Sequence, residues 1–341
     1  MFDVITFGSA SRDIFLKVKN LEVADSKETI TGKVICLPAD SKVEVEGFFV
    51  RSGGGGTNSA ATFANQGLKA AYCGMVGKDE AGEAIISELK ARKIDTRFIR
   101  QTSKAQTNRS VIINASAWKR TILVYRGASE MLEKGEIPFA KLKAKWFYLA
   151  PLPGENKELF TSLIDFAYTN KIKIALNPGV SQLSLEKGAL EQILKKVDVL
   201  ILNREEATFL TKIPYEQEER VFQEIDKLCP GIAVMTKGEI GVVVSDGKFL
   251  YRAPSITISN PVDPTGAGDA FGSGFVCEII KSGDVEKAIQ LAMANSGLVL
   301  REWGAKEGLL AKDEEYEKVR VTRVTCGGPE GSCAIKNEQK S

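Results

Sequence analysis

The 341-residue sequence contains no histidine. That absence excludes Ser-His-Asp and Cys-His catalysis and His-ligated zinc, and it leaves Asp, Glu, Lys, Tyr or Cys as any general base. Also missing is the Gly-x4-Gly-Lys-Ser/Thr loop. Lys33, Lys78 and Lys248 follow glycines, but none of them precedes Ser or Thr. Any ATP site must therefore be built without a P-loop. Net charge is small, +2, which argues against nucleic acid or a membrane surface as a charge-driven partner. No apolar run approaches membrane-spanning length. Met1 leads into a strand-like Val4–Phe7, so no signal peptide is expected. Cysteines are few: Cys36, Cys73, Cys229, Cys277, Cys326 and Cys333, mostly in apolar runs. They read as buried thiols in a reducing cytoplasm rather than as a disulfide framework, so a cytoplasmic protein is expected.

Apolar content of 43% and charged content of 26% suit a soluble globular enzyme, and the length suits one large α/β domain or two small ones. The chain is organised around Asn260–Phe275. Pro261 and Pro264 forbid a helix up to that point, and Asp269–Ile280 then reads as one. Small residues at Ala267, Gly268, Ala270, Gly272 and Gly274 let backbone or ligand approach the first turns. A helix start with bare N–H groups and partial positive charge attracts anions. Asp269 places a carboxylate there, where it would repel a phosphate unless it had a proton to take. The combination points to a phosphoryl-transfer centre with a built-in base. A plain Gly-rich loop before a packed helix, or a fragment of a dinucleotide fingerprint, is the competing reading.

The stretch resembles the C-terminal signature of the ribokinase-like (phosphofructokinase-B) carbohydrate and nucleoside kinases. The family pattern Asp-Thr-x-Gly-Ala-Gly-Asp stands here as Asp263-Pro-Thr-Gly-Ala-Gly-Asp269. A second segment, Gly53-Gly-Gly-Gly-Thr-Asn58, resembles the family's N-terminal Gly-Gly-x-Gly-x-Asn. The same run could be a flexible linker, but linkers seldom lead straight into a helix such as Ala60–Gln66. Where ribokinases proper often carry a lysine, this chain has Gly55, which makes ribose itself a poorer fit. Gly74–Gly82 also follows a family pattern and reads as structural, with Asp79 as a helix cap.

Phe2–Phe7 reads as a buried parallel strand, and ligands sit outside the carboxyl ends of such strands. Asp13 lies just past it; the resemblance implies that it holds sugar hydroxyls. Residues 14–50 break the rhythm with strands at Lys33–Leu37 and Lys42–Val50. Asn108–Asn114 and Thr121–Tyr125 form a further antiparallel pair. Together 14–50 and 107–126 fit the family's small β-lid. Arg120 and Arg126 could be phosphate or sugar ligands, although solvation is the plainer reading. From Trp146, strands and helices alternate (Trp146–Ala150, Asn156–Thr169, Lys171–Asn177, Leu185–Lys196, Val197–Leu202), which means a doubly wound, mostly parallel sheet with helices on both faces.

Asn203 and Glu206 fit a capping box, while the resemblance ties them to the nucleotide and, through water, to Mg²⁺. Thr236, Gly238 and Gly241 resemble the family's nucleotide loop, and Asn295 is expected near the adenine. The resemblance covers residues 1–310. The tail from 311 carries a strand-like Val319–Thr325 and then a polar, Gly-rich end that reads as flexible.

The implied activity is an ATP-dependent kinase acting on a hydroxyl of a small sugar. The alternatives are a nucleoside kinase of the same family and a sugar-binding regulator on an inactive kinase scaffold. Asp269 would take the proton, with Gly266, Ala267 and Gly268 supplying an anion hole; Asp13, Gly54, Gly55 and Asn58 would bind the acceptor. Asp263 and Thr265 are expected to hold a monovalent cation such as K⁺. The lid, with alternation at Val43-Glu-Val-Glu46 and Phe48-Phe49 beyond it, should close over the acceptor or pack on a second subunit. A homodimer is the preferred assembly.

Overall fold

A computed structural model describes residues 1–19, 21–27, 32–116, 119–152, 154 and 156–326. The chain starts with β1 (Phe2–Phe7), and then leaves the main sheet for β2 (Ser11–Val18), β3 (Glu22–Asp25), β4 (Lys33–Cys36) and β5 (Val45–Gly53). It returns through α1 (Gly55–Asn65), β6 (Ala70–Gly77), α2 (Glu80–Ala91) and β7 (Asp95–Thr102). A second excursion makes β8 (Asn108–Ser116) and β9 (Lys119–Tyr125). The alternation that follows is β10 (Ala144–Leu149), α3 (Lys157–Thr169), β11 (Lys173–Leu176), α4 (Val180–Leu183), α5 (Lys187–Leu194), β12 (Val199–Asn203), α6 (Arg204–Thr211), α7 (Glu218–Leu228) and β13 (Ile232–Thr236). Strands β14 (Val242–Ser245) and β15 (Phe249–Ala253), helices α8 (Ala267–Ser282) and α9 (Val285–Val299), and β16 (Thr322–Thr325) complete it.

Ten strands form one sheet in the order β16-β15-β14-β13-β12-β11-β10-β1-β6-β7, parallel from β7 to β13 and antiparallel beyond. Strands β11 and β12 lie in its middle and are apolar on both faces, as parallel sheets require. In β1 the pleat divides the work. Ile5 and Phe7 pack with Phe160, Ile193 and Phe222 of α3, α5 and α7, and Val4 packs on the opposite face with Phe63, Phe275 and Ile289 of α1, α8 and α9. The chain leaves β1 toward β6 on one side and β10 on the other. Such a switch point opens a crevice beyond the carboxyl ends of the strands.

Strands β5, β2, β8 and β9 form a separate four-stranded sheet, the lid. It differs from expectation at two places. It begins at Ser11 and not near residue 14, so Asp13 belongs to a lid strand; the charged pair Arg12-Asp13 hides the alternation of buried Ser11, Asp13 and Phe15. The expected strand near Lys33 pairs with β3 as a two-stranded sheet of its own. The main sheet's edge strand β7 was not read from the sequence, because Asp95-Thr-Arg-Phe-Ile-Arg-Gln-Thr102 is largely polar. Phe15 and Phe49 of the lid meet Trp303, with the Phe49 ring stacked 5.2 Å from it, and these contacts seat the lid on the main body.

Cys73, Cys229 and Cys277 are buried thiols and Cys36 is an exposed one. Cys326 is disulfide-bonded, which departs from the reading of all six as thiols. The expected flexible end falls on residues 327–341, outside the described residues. Among the described residues, no helix is long and apolar enough to cross a membrane.

Candidate active site

Helix α8 begins at the crevice. Its N-cap, Gly266, has φ of 83°, and a Cβ there would stand 2.2 Å from Ala305 Cβ; only glycine fits. No side chain caps the helix. The Ala267 N–H has only a long bond of 3.3 Å to Pro264 O, and those of Gly268 and Asp269 find no acceptor among the described residues. These are free donors at the positive end of a 16-residue helix. Asp269 stands in the same turn. Its Oδ2 accepts a 2.8 Å hydrogen bond from Asn58 Nδ2 on α1. Burial pushes this carboxyl up from the ordinary range, while the Asn58 donor and the Lys306 charge act against it.

On one side of the loop lies a cavity of about 640 Å³, walled by the main sheet below and the lid above. Asp13, Gly54, Gly55, Asn58, Gly266 and Asp269 all line it. Gly54, the N-cap of α1, has φ of 94°, and a Cβ would sit 2.5 Å from Ser9 O. Asp13 is 6% exposed; its Oδ2 accepts from Ser11 Oγ at 3.1 Å. Burial raises the Asp13 carboxyl. Ser110 of β8 lies beside the Asp13 carboxyl, but among the described residues neither Asp13 Oδ1 nor Asn58 Oδ1 has a well-formed hydrogen bond. Two orphaned buried acceptors facing one cavity suit hydroxyl donors on a ligand. Lid strand β9 adds Val124 and Tyr125, and Arg126 just beyond it lines the same wall, paired with Glu130 at 3.6 Å.

On the other side of the loop is a smaller cavity of about 190 Å³. Thr236, Gly238 and Gly241 line it, with Pro264, Ala267 and Gly268 as the shared wall. Asn295 does not. Its Nδ2 donates to Ala270 O at 2.8 Å and its Oδ1 accepts from Leu310 N at 2.9 Å, so this buried amide ties α9 to α8. Ser296 and Gly297, next on the helix, line the cavity instead. A polar residue on an amphipathic helix cannot be assigned to a ligand or to its own fold by spacing alone.

Asn203 and Glu206 make the full capping box of α6: Asn203 Oδ1 accepts from Glu206 N at 2.7 Å, and Glu206 Oε2 accepts from Asn203 N at 2.9 Å. Asn203 also pairs in register with Thr236 at the carboxyl edge of the sheet. Burial lifts the Glu206 carboxyl to about 6, and the like charges of Glu205 and Asp269 add to the rise. Among the described residues no cluster of three or more acidic or Cys side chains could cage a metal. One carboxylate beside an amide, as at Glu206 and Asn203, is the kind of donor set that could hold a Mg²⁺ keeping most of its waters.

Asp263 and Thr265 meet each other. Thr265 Oγ1 and N donate to Asp263 Oδ1 at 2.9 and 3.2 Å. Arg120, expected in solvent, reaches the same oxygen at 3.6 Å. Sequence reasoning also missed Lys306, which is 3% exposed and donates to Ser52 Oγ at 2.9 Å, just before the glycine run. Burial pulls its ammonium down to about 8, although the charges of Glu88, Asp13 and Asp269 favour the protonated form. A Gly-Ala-Lys in a C-terminal loop carries no signal for such a place.

The model of the pfkB family carbohydrate kinases matches residues 1–312. The chain belongs to that family. Ribokinase of Bacillus subtilis is 26% identical over 266 residues, which cover 78% of this chain and 86% of the relative. Cytidine kinase of Thermococcus kodakarensis is 28% identical over 183 residues, covering 53% of this chain and 64% of that one. Among solved structures, a putative ribokinase II of E. coli in complex with ATP and Mg²⁺ superposes with a TM-score of 0.74 at 19% identity, covering 91% of this chain and 96% of the other. As a pfkB family member the chain is thus similar to kinases of both sugars and nucleosides.

Proposed function

We propose that the protein transfers the γ-phosphoryl group of ATP to a hydroxyl of a small sugar or sugar derivative. The observation that carries this reading is the place of the α8 loop between two cavities. Thr265, Gly266 and Asp269 face the larger one, and Pro264, Ala267 and Gly268 the smaller. An acceptor in the larger cavity and a nucleotide in the smaller would meet at the free N–H groups. Asp13 and Asn58 orient the acceptor, and Asp269 takes its hydroxyl proton as the oxygen attacks the γ-phosphorus and ADP departs. The N–H groups of Gly268 and Asp269 then stabilise charge on the phosphoryl oxygens. Mg²⁺, held beside Glu206 and Asn203 through water, would neutralise the phosphates.

A nucleoside acceptor is the second reading. The apolar wall of the larger cavity, Val124, Tyr125, Leu152 and Val180, favours it, since a base could lie there while the ribose meets Asp13. A sugar-binding regulator is the weaker reading, because Asp269 and its free donors are all present. K⁺ beside Asp263 is not part of this proposal, since Arg120 already brings positive charge to that carboxylate. The assembly is a homodimer through the lid. A coupled ATPase assay over sugars and nucleosides tests the whole reading. Turnover with one acceptor, abolished in Asp269→Asn, supports it; no turnover with any acceptor overturns it.

A further inference from the structure

We propose that Arg120 is a built-in cation for the anion loop: by pairing with Asp263 it holds Thr265 and the start of α8, and it makes turnover independent of a monovalent ion. The inference rests on the kinase reading above. Asp263 is fully buried, and a carboxylate there is costly unless it is paired. Among the described residues Arg120 is the one cation at ion-pair distance, 3.6 Å. The carboxylate in turn accepts both donors of Thr265, and its flanking backbone is bonded to the end of α9, Val262 N to Leu300 O at 2.7 Å. Thr265 is followed directly by Gly266, the N-cap of α8. Positive charge at Arg120 is therefore two residue contacts from the donors that would face the phosphoryl group.

Arg120 also belongs to β9, the lid strand that contributes Val124 and Tyr125 to the acceptor wall. One strand touches the acceptor site and the support of the anion loop. At 3.6 Å the contact is an ion pair and not a hydrogen bond. Among the described residues the second Asp263 oxygen, Oδ2, is buried without a well-formed hydrogen bond, so a guanidinium fork approaching more closely would find both acceptors of a bidentate pair. A free monovalent ion competes for the same two oxygens and would be repelled by the guanidinium. Arg120 is a positioning residue, since it acts through Asp263 and Thr265.

The test uses an acceptor that the wild type phosphorylates and compares initial rates in KCl and in tetramethylammonium chloride at equal ionic strength. The expected wild-type rates agree within about twofold. In tetramethylammonium, Arg120→Ala should lose kcat by about 10²-fold with a smaller change in KM, the scale of a misplaced catalytic group. K⁺ or millimolar guanidinium should restore much of it, and Arg120→Lys should keep most of it. A second readout needs no turnover: K⁺ should raise the Tm of Arg120→Ala relative to tetramethylammonium and leave the wild type unmoved. Strong K⁺ activation of the wild type, or an Arg120→Ala protein that folds and responds to neither cation, overturns the proposal. If the wild type phosphorylates nothing, the kinase reading fails, and the Tm comparison alone still decides whether Arg120 fills the cation's place.

Discussion

Asn58 Nδ2 and Asp269 Oδ2 are joined by a 2.8 Å hydrogen bond between residues 211 apart in sequence. The bond links the first turns of α1 and α8, the two glycine-rich helix starts that face the crevice. It favours the charged carboxylate against the burial that raises it. In the proposed reaction Asp269 must be ionised to accept a proton, so this contact bears on the expected acid limb.

Asp269→Asn is expected to keep the fold and nucleotide binding and to lower kcat by ~10²–10⁴, the usual worth of a positioned base. In the wild type, rates should fall on acidification with an apparent pKa above that of an exposed aspartate. Asn58→Leu removes the donor that stabilises the carboxylate, so its acid limb should lie at higher pH. A limb that does not move would show that another group governs it. Rates and melting temperatures measured together separate chemistry from folding.

Glu206 and Asn203 have a local duty in capping α6, and a loss of that cap alone costs about 1 kcal/mol. The proposed function gives Glu206 a second duty, in holding Mg²⁺ through water. Asn203→Asp keeps the cap acceptor and should retain stability. Glu206→Gln should weaken Mg²⁺ activation on the order of tenfold, as loss of an outer-shell group does. Since this carboxyl is drawn up to about 6, Mg²⁺ affinity should decline as pH falls through 6. EDTA should abolish turnover and added Mg²⁺ restore it. Unchanged Mg²⁺ titrations in Glu206→Gln would reduce the pair to a cap.

The glycine-rich starts, the strand-helix alternation and the capping box were legible because each rests on local chemistry: φ above zero, 2- or 3.6-residue periods, an Asx acceptor three residues before an acid. The lid was legible only in part. Asp13 lines the larger cavity, but the strand that carries it was not read, because a strand with one face on a polar cavity does not alternate apolar with polar. Asn295 was misplaced for the converse reason, a polar group spent inside the fold. Arg120 meeting Asp263, and Lys306 under the glycine run, are products of tertiary packing between distant segments. Neither residue differs in sequence from an ordinary surface cation.

The outer face of the lid should pair two copies of the chain. Phe48 and Leu123 are 61% and 56% exposed; Phe48 lies opposite Leu16, and Leu123 opposite Val111, on the face away from the cavity. Such an apolar patch on a small sheet calls for a cover. Sedimentation at micromolar protein should give a dimer, and Phe48→Lys with Leu123→Glu should give a folded monomer. A wild-type monomer at that concentration would leave the patch without its proposed partner.

Lys306 should make stability depend on alkaline pH in a way that its replacement removes. Its ammonium is buried, finds one serine hydroxyl and no carboxylate at ion-pair distance among the described residues, and falls from its ordinary 10.5 to about 8. That difference corresponds to roughly 3 kcal/mol against the protonated folded state. Below pH 8 both folded and unfolded chains carry the proton and the penalty is complete. Between about 8 and 10.5 the unfolded chain binds more protons, so stability gained from this group rises with pH until the penalty is gone. The charged groups facing it are Glu88 from α2, Arg92 just after that helix, Asp13 from β2 and Asp269 from α8. Lys306→Met should therefore be most stable relative to wild type near pH 7, with the gap narrowing or reversing toward pH 10. Chemical denaturation of both proteins across that range checks it; a gap that stays flat would mean that the lysine does not titrate inside the fold.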